Sequence, residues 1–274
     1  TKKLIINGGK LSTVGAQSLT LANPIEIGGD FALASGSGTL TLNGTMDLGG
    51  APRALTAEGN GNKSIAGDIS NGGLVVNQSN GTLTFSGNNT YTGTTTLSNG
   101  TLLVNGAHTG GGLYTVASGA TLGGTGLIDA AIAALTGGIV APGNSIGTLT
   151  TSNSFDLDGT LLIELDNGAG PGGLSDLLDV NGLFDLTNGV VQFVFTGTMT
   201  NDYYIFAEYD TLSGGGFLNA LNTPEGYGID YTFGVGGNQI ALVIPEPSTF
   251  ALLGLGAVAM LGLMRRGRRG KIAG

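Results

Sequence analysis

Cysteine and tryptophan are absent from the 274 residues. The first absence excludes disulfide staples, thiolate metal sites and thiol catalysis, and it leaves the redox compartment undecided. Charge is scarce too: only 11% of residues are charged, and no Lys or Arg stands between Ser64 and Met264. Helical surfaces rich in Glu, Lys and Arg are therefore missing, which disfavours a mainly helical fold. Over residues 1–244, five basic residues stand against eighteen acidic ones, a net of −13. Such a body repels phosphate backbones, so nucleic-acid binding is disfavoured. The one histidine, His108, sits in NGAHTGGG with no Cys or acid partner nearby. It is expected to be a solvated loop residue, and serine triads lose their base with it. Lyase chemistry needs a strong base and cationic neutralisation of the developing charge, and the body of the chain supplies neither. The sequence opens at TKKLIINGG without a cleavable leader, so a secretory peptide is expected to precede it.

Glycine, by contrast, is abundant at 53 residues, and hydrophobic residues make up 41% of the chain. That apolar content is too high for disorder. Short alternating runs bounded by turn residues recur: GTLTLNG (38–44), GGLVVNQSNGTLTFSG (72–87), ASGATLGGTG (117–126), GTLLIELDNG (159–168) and NGLFDLTNGVVQFVFTG (181–197). These read as strand after strand without helices. Asn-Gly occurs ten times, from Asn7-Gly8 to Asn188-Gly189, consistent with turns that need positive φ. The same dipeptide marks hairpins, so a β-sandwich competes with a parallel solenoid. Recurrence of GTL or ATL about every twenty residues favours stacked rungs that complete one another's core. Thr94, Thr95 and Thr96 are expected to ladder on an exposed sheet face.

Residues 83–106 resemble the autotransporter-associated β-strand repeat, through GNNTYTG (87–93), TTTLSNGTL (94–102) and LVNG (103–106). APGNSIGTLT (141–150), GTLLIELD and SDLLDVNG (175–182) look like the end of such a passenger region. The resemblance covers roughly residues 80–200 and implies a right-handed parallel β-helix carried on the cell surface. The chain departs from ordinary autotransporters because no C-terminal run of alternating membrane strands follows.

From residue 200 the composition shifts. Tyr203, Tyr204, Tyr209, Tyr227 and Tyr231 join Phe206, Phe217 and Phe233 within 200–243. This stretch is expected to cap a solenoid spanning 1–199, with an aromatic platform for sugars as the sharper alternative.

Residues 248–264, STFALLGLGAVAMLGLM, carry no charge and are followed at once by RRGRRGK (265–271). As a helix the 17-residue run would span roughly 25 Å at about 1.5 Å per residue, enough to cross a thinned hydrocarbon core once. Arg265, Arg266, Arg268 and Arg269 would stay cytoplasmic, placing the acidic bulk across the membrane. Upstream, Pro245, Glu246 and Pro247 form a stiff extended strip. In that setting residues 244–271 resemble the PEP-CTERM sorting signal. The resemblance implies an inner-membrane precursor recognised by an exosortase-type membrane transpeptidase, loss of the anchor near the Pro-Glu-Pro strip, and delivery to the cell surface or to the extracellular matrix of a biofilm. An uncleaved anchor is the alternative.

Chemistry has few carriers. Asp156, Asp158, Glu164 and Asp166, or Asp176 and Asp179, are the carboxylates available for acid and base roles in glycoside hydrolysis. Strand parity puts Asp156 and Asp158 on one face, alternating with Phe155 and Leu157, as on a solvated outer surface. The same oxygens suit calcium, although no EF-hand-type loop is present. The sequence is thus expected to encode a non-enzymatic, cofactor-free structural or adhesive surface protein, with exopolysaccharide as a partner. The competing expectation is a β-helix hydrolase or lyase acting on that polysaccharide.

Overall fold

A computed structural model describes residues 2–167, 174–195 and 198–245. Every regular element among them is a β-strand. The strands wind into a parallel solenoid with three stacks. One stack shows the logic. Leu19, Leu40, Lys63, Leu83, Leu102, Leu122, Val140 and Leu161 occupy successive positions of a single column, each pairing with the next in parallel. These eight rungs advance by 18–23 residues each, whereas the following steps, to Val191 and then Ala220, take 30 and 29.

Short strands with period-two burial make this possible. In Leu40–Leu42, Leu83–Phe85, Tyr114–Val116 and Phe155–Leu157 the outer residues of the triplet point inward and the middle one outward. Leu40, Leu42, Ile65, Leu83, Phe85, Leu102 and Val104 are completely buried. Each such side chain contributes about 1.5–3 kcal/mol of transfer free energy. A single rung cannot seal its own interior, so stability comes from neighbours above and below.

Three glycine columns allow the corners to stack. A Cβ built on Gly67, Gly87, Gly106 or Gly126 would fall well inside 3.0 Å of the carbonyl oxygen of the glycine one rung earlier. The series Gly38, Gly61, Gly81 and the series Gly72, Gly93, Gly112 repeat this contact. The Asn-Gly pairs therefore divide into two kinds. Gly8, Gly72, Gly81 and Gly100 adopt positive φ as expected, the last three also lacking room for a Cβ, but Gly44, Gly61, Gly106, Gly182 and Gly189 do not. At the latter, glycine is required by close main-chain approach.

Polar groups enter the core where the ladder is interrupted. The stack that begins Leu4–Ile6, Ile25–Ile27, Met46–Asp47, Ile69–Ser70 loses its regular strand pairing before Asn88–Asn89. There the buried Asn89 side chain accepts from the Ile69 amide at 3.0 Å, and the stack resumes with Ala107–His108. Lys63, fully buried in a column of leucines, donates through Nζ to the carbonyls of Gly59 (2.6 Å) and Asn80 (3.1 Å). Burial lowers its pKa. Thr95 also points inward, where its hydroxyl meets that of Tyr91 at 2.7 Å. The expected exposed ladder of Thr94, Thr95 and Thr96 is thus split by the pleat, because consecutive residues of a strand face opposite sides.

The far end changes direction. Tyr203–Ser213 continues the parallel stack on Leu177–Asp185, but Gln239–Val243 runs antiparallel to it, and Gly228–Phe233 runs antiparallel to Gln239–Val243. Rings pack across this end: Phe193 against Phe206 at 5.3 Å and 81°, and Phe206 against Phe217 at 6.2 Å. Tyr204 and Phe206 are fully buried. Among the described residues no helix is long and apolar enough to cross a membrane. The expected membrane helix at 248–264 lies outside the described residues.

Candidate functional site

Strand parity delivers Asp156 outward, between buried Phe155 and Leu157, as expected. Parallel register then sets Asp156 beside Asp185 and, in the neighbouring stack, Asp179 beside Glu208. Burial and like-charged neighbours raise the pKa of Asp156 and Asp179. Among the described residues no group of three or more His, Cys, Asp or Glu is arranged to hold a metal ion.

The acids that do converge are Glu164 and Asp176, a pairing no spacing rule suggests. Thr160–Asp166 pairs in parallel with Ile139–Pro142 only at Ile139↔Thr160 and Val140↔Leu161. Beyond this, the lower chain turns away at Gly143, held by an antiparallel bridge to Gly124. The upper strand then folds back on itself, with Leu165 opposite Ser175 and Asp166 opposite Leu174. Asp176 fills the gap. Its Oδ1 accepts from the Gly147 amide at 3.0 Å, its Oδ2 accepts from the Glu164 amide at 2.8 Å, and its own amide donates to the Glu164 carbonyl at 2.9 Å. The residue is 1% exposed. Burial pushes its carboxyl pKa up to about 7, aided by the Glu164 charge and opposed by the two amides. The glycine-rich stretch between Asp166 and Leu174 was the one sequence sign of this reversal.

Two cavities open beside the pair. One, of about 190 Å³, is lined by Leu103, Gly123, Ala141, Leu162, Glu164 and Asp176. The other, of about 260 Å³, shares Ser145 and Glu164 and extends to Val194 and Phe195.

His108 is not a loop residue. It belongs to the strand Ala107–His108 and is fully buried, stacked on Tyr91 at 4.2 Å and tilted against Tyr114 at 5.2 Å. Its Nε2 lies 2.8 Å from the Tyr91 carbonyl, and its Nδ1 has no hydrogen-bond partner. Burial lowers its pKa. The glycines around it suggested a loop, yet they serve as corner residues that let the strand pass inside.

At the C-terminal end, Gln239–Val243 is flanked on both sides by antiparallel partners. The Ile244 amide donates to the Asp202 carbonyl at 3.1 Å, the last main-chain hydrogen bond to the body among the described residues. Ile244 and Pro245 are exposed. Glu246, Pro247, Arg265, Arg266, Arg268 and Arg269 lie outside the described residues. A family model described as the PEP-CTERM protein-sorting motif matches residues 243–269. The chain carries a PEP-CTERM sorting signal. The signal begins where the last strand ends, and it implies a secreted protein directed to the cell surface as an exosortase substrate.

A second family model, the passenger-associated-transport-repeat, matches residues 78–104. Within this stretch Leu83–Phe85 pairs in parallel with the end of Thr95–Val104, so the repeat corresponds to one turn of the solenoid. No curated protein matches the chain.

Proposed function

We propose that this PEP-CTERM protein is a structural or adhesive component of the cell surface or extracellular matrix, without enzymatic activity. Its sorting signal would be held as a single membrane span until an exosortase-type transpeptidase acts near Pro245-Glu246-Pro247. One observation carries the reading: a tightly paired last strand releases an exposed Ile244-Pro245 at the start of the sorting match. The folded body stays closed while Ile244 and Pro245 remain accessible. Localisation of the full chain and of a form lacking residues 245–274 tests this. The truncated form should be lost from the surface fraction, and its retention there would defeat the proposal.

A polysaccharide hydrolase is the second reading, favoured by the cleft shared by Glu164 and Asp176. Both oxygens of Asp176 already hold main-chain amides, which supports a fold-keying role over delivery of a proton to substrate.

A further inference from the structure

The outer face of the solenoid is interrupted beside Leu103. In the column running outward from Leu103, the next two positions are Gly123 and Ala141, after which Leu162 restores bulk. The missing side chains leave an apolar trough between two leucines, roofed on one side by the loop through Gly143, Asn144 and Ser145. The trough ends at Glu164 and continues past Ser145 toward the exposed Phe195. Glu164 is half-buried, and no hydrogen bond or ion pair engages its carboxylate among the described residues. The cations Lys3 and Lys10 are already paired with Glu26 and Glu58 at the opposite end, and no Lys or Arg follows Lys63 in the described chain.

This charge pattern excludes anionic ligands such as uronates or phosphates, because nothing near the trough would neutralise them. It favours a cation. The flat floor adds a second requirement, an apolar face of about the width of one ring, which an ammonium on a flexible stem lacks. A pyranose offers such a face, and an amino sugar adds the charge. We propose that the trough binds a glucosamine-type residue of a cationic glycan, its ring over Gly123 and Ala141 and its ammonium paired with Glu164. The inference names a ligand for the adhesive reading and rests on that reading only for the source of the glycan.

The test is titration of the full chain, in mild detergent, with a glucosamine trimer, its N-acetylated counterpart and a lysine tetrapeptide, followed by NMR or calorimetry. The glucosamine trimer should bind at least tenfold more tightly than the other two. Glu164→Gln and Ala141→Leu should each weaken it tenfold or more. The double variant Asp156→Asn/Asp185→Asn, remote from the trough, should bind as the parent does. Equal binding of the acetylated trimer, or of the peptide, would overturn the assignment, as would equal weakening by the remote double variant, the mark of diffuse charge attraction. If Glu164→Gln fails to fold by its melting profile, Ala141→Leu decides, since it adds bulk on the outer face and leaves the carboxylate in place. Mis-sorting of the chain would leave this binding intact, and absent binding would leave sorting intact, so the two proposals fail separately.

Discussion

Asp176 offers the most exposed prediction about what holds the later rungs together. Its carboxyl, buried between the Gly143 turn and the folded-back strand, has its pKa raised from 3.8 to about 7. In the unfolded chain the group ionises above about pH 4, whereas the native protein keeps its proton until near pH 7. Between these limits the native state binds more protons, so the contribution of Asp176 to stability falls as pH rises from 4 to 7 and levels off above that. At about 1.36 kcal/mol per pKa unit the full span amounts to ~4 kcal/mol. The carboxyl lines an open cavity of about 190 Å³, where solvent screening would bring the expected change to about 2–4 kcal/mol. Asp176→Asn removes the titration while keeping one carbonyl acceptor, and it turns an amide group toward the other donor, costing about 1–3 kcal/mol at all pH values. Urea melts of parent and variant at pH 4.5, 6 and 8 isolate the effect as a difference, cancelling other titrating groups. Solenoids can open by segments, so amide exchange at Gly147 and Glu164 supplies a local reading. The parent should lose its advantage over Asp176→Asn as pH rises. Parallel pH profiles, or unchanged exchange at those two amides, would refute the reasoning.

Other perturbations follow from the same structure. Burial lowers the pKa of His108 from 6.5; its contribution is fully present above that value and is lost as pH falls from there through the lowered native value. His108→Phe, which keeps the ring stack, should flatten the melting-temperature profile between pH 7 and pH 5. Gly106→Ala forces a methyl against the Gly87 carbonyl and should cost about 3 kcal/mol in denaturant melts. Gly50→Ala, at φ +76° with nothing within 4 Å, should cost only about 1–2 kcal/mol. Equal losses at the two glycines would remove the corner-stacking explanation.

Strand-and-turn texture, repeat spacing and a charge-free C-terminal run are properties of neighbouring residues, and the sequence states them directly. Period-two burial in Leu83–Phe85 or Phe155–Leu157 follows from side chains alternating along any strand. The one-rung repeat at 78–104 and the sorting match at 243–269 were legible for the same reason. What escaped depends on residues brought together from different rungs. Glycine in Asn-Gly answers both positive φ and lack of room at Gly100 but lack of room alone at Gly106, and only the rung below decides which. His108 among glycines looks solvated until Tyr91 and Tyr114 close over it from adjacent turns. Glu164 and Asp176 become one site because the strand below stops at the Gly143 turn and leaves two amides without partners. A local pattern can fix which way a side chain points. What it meets there is set by the register between rungs, and that register is decided only when the buried columns pack as a whole.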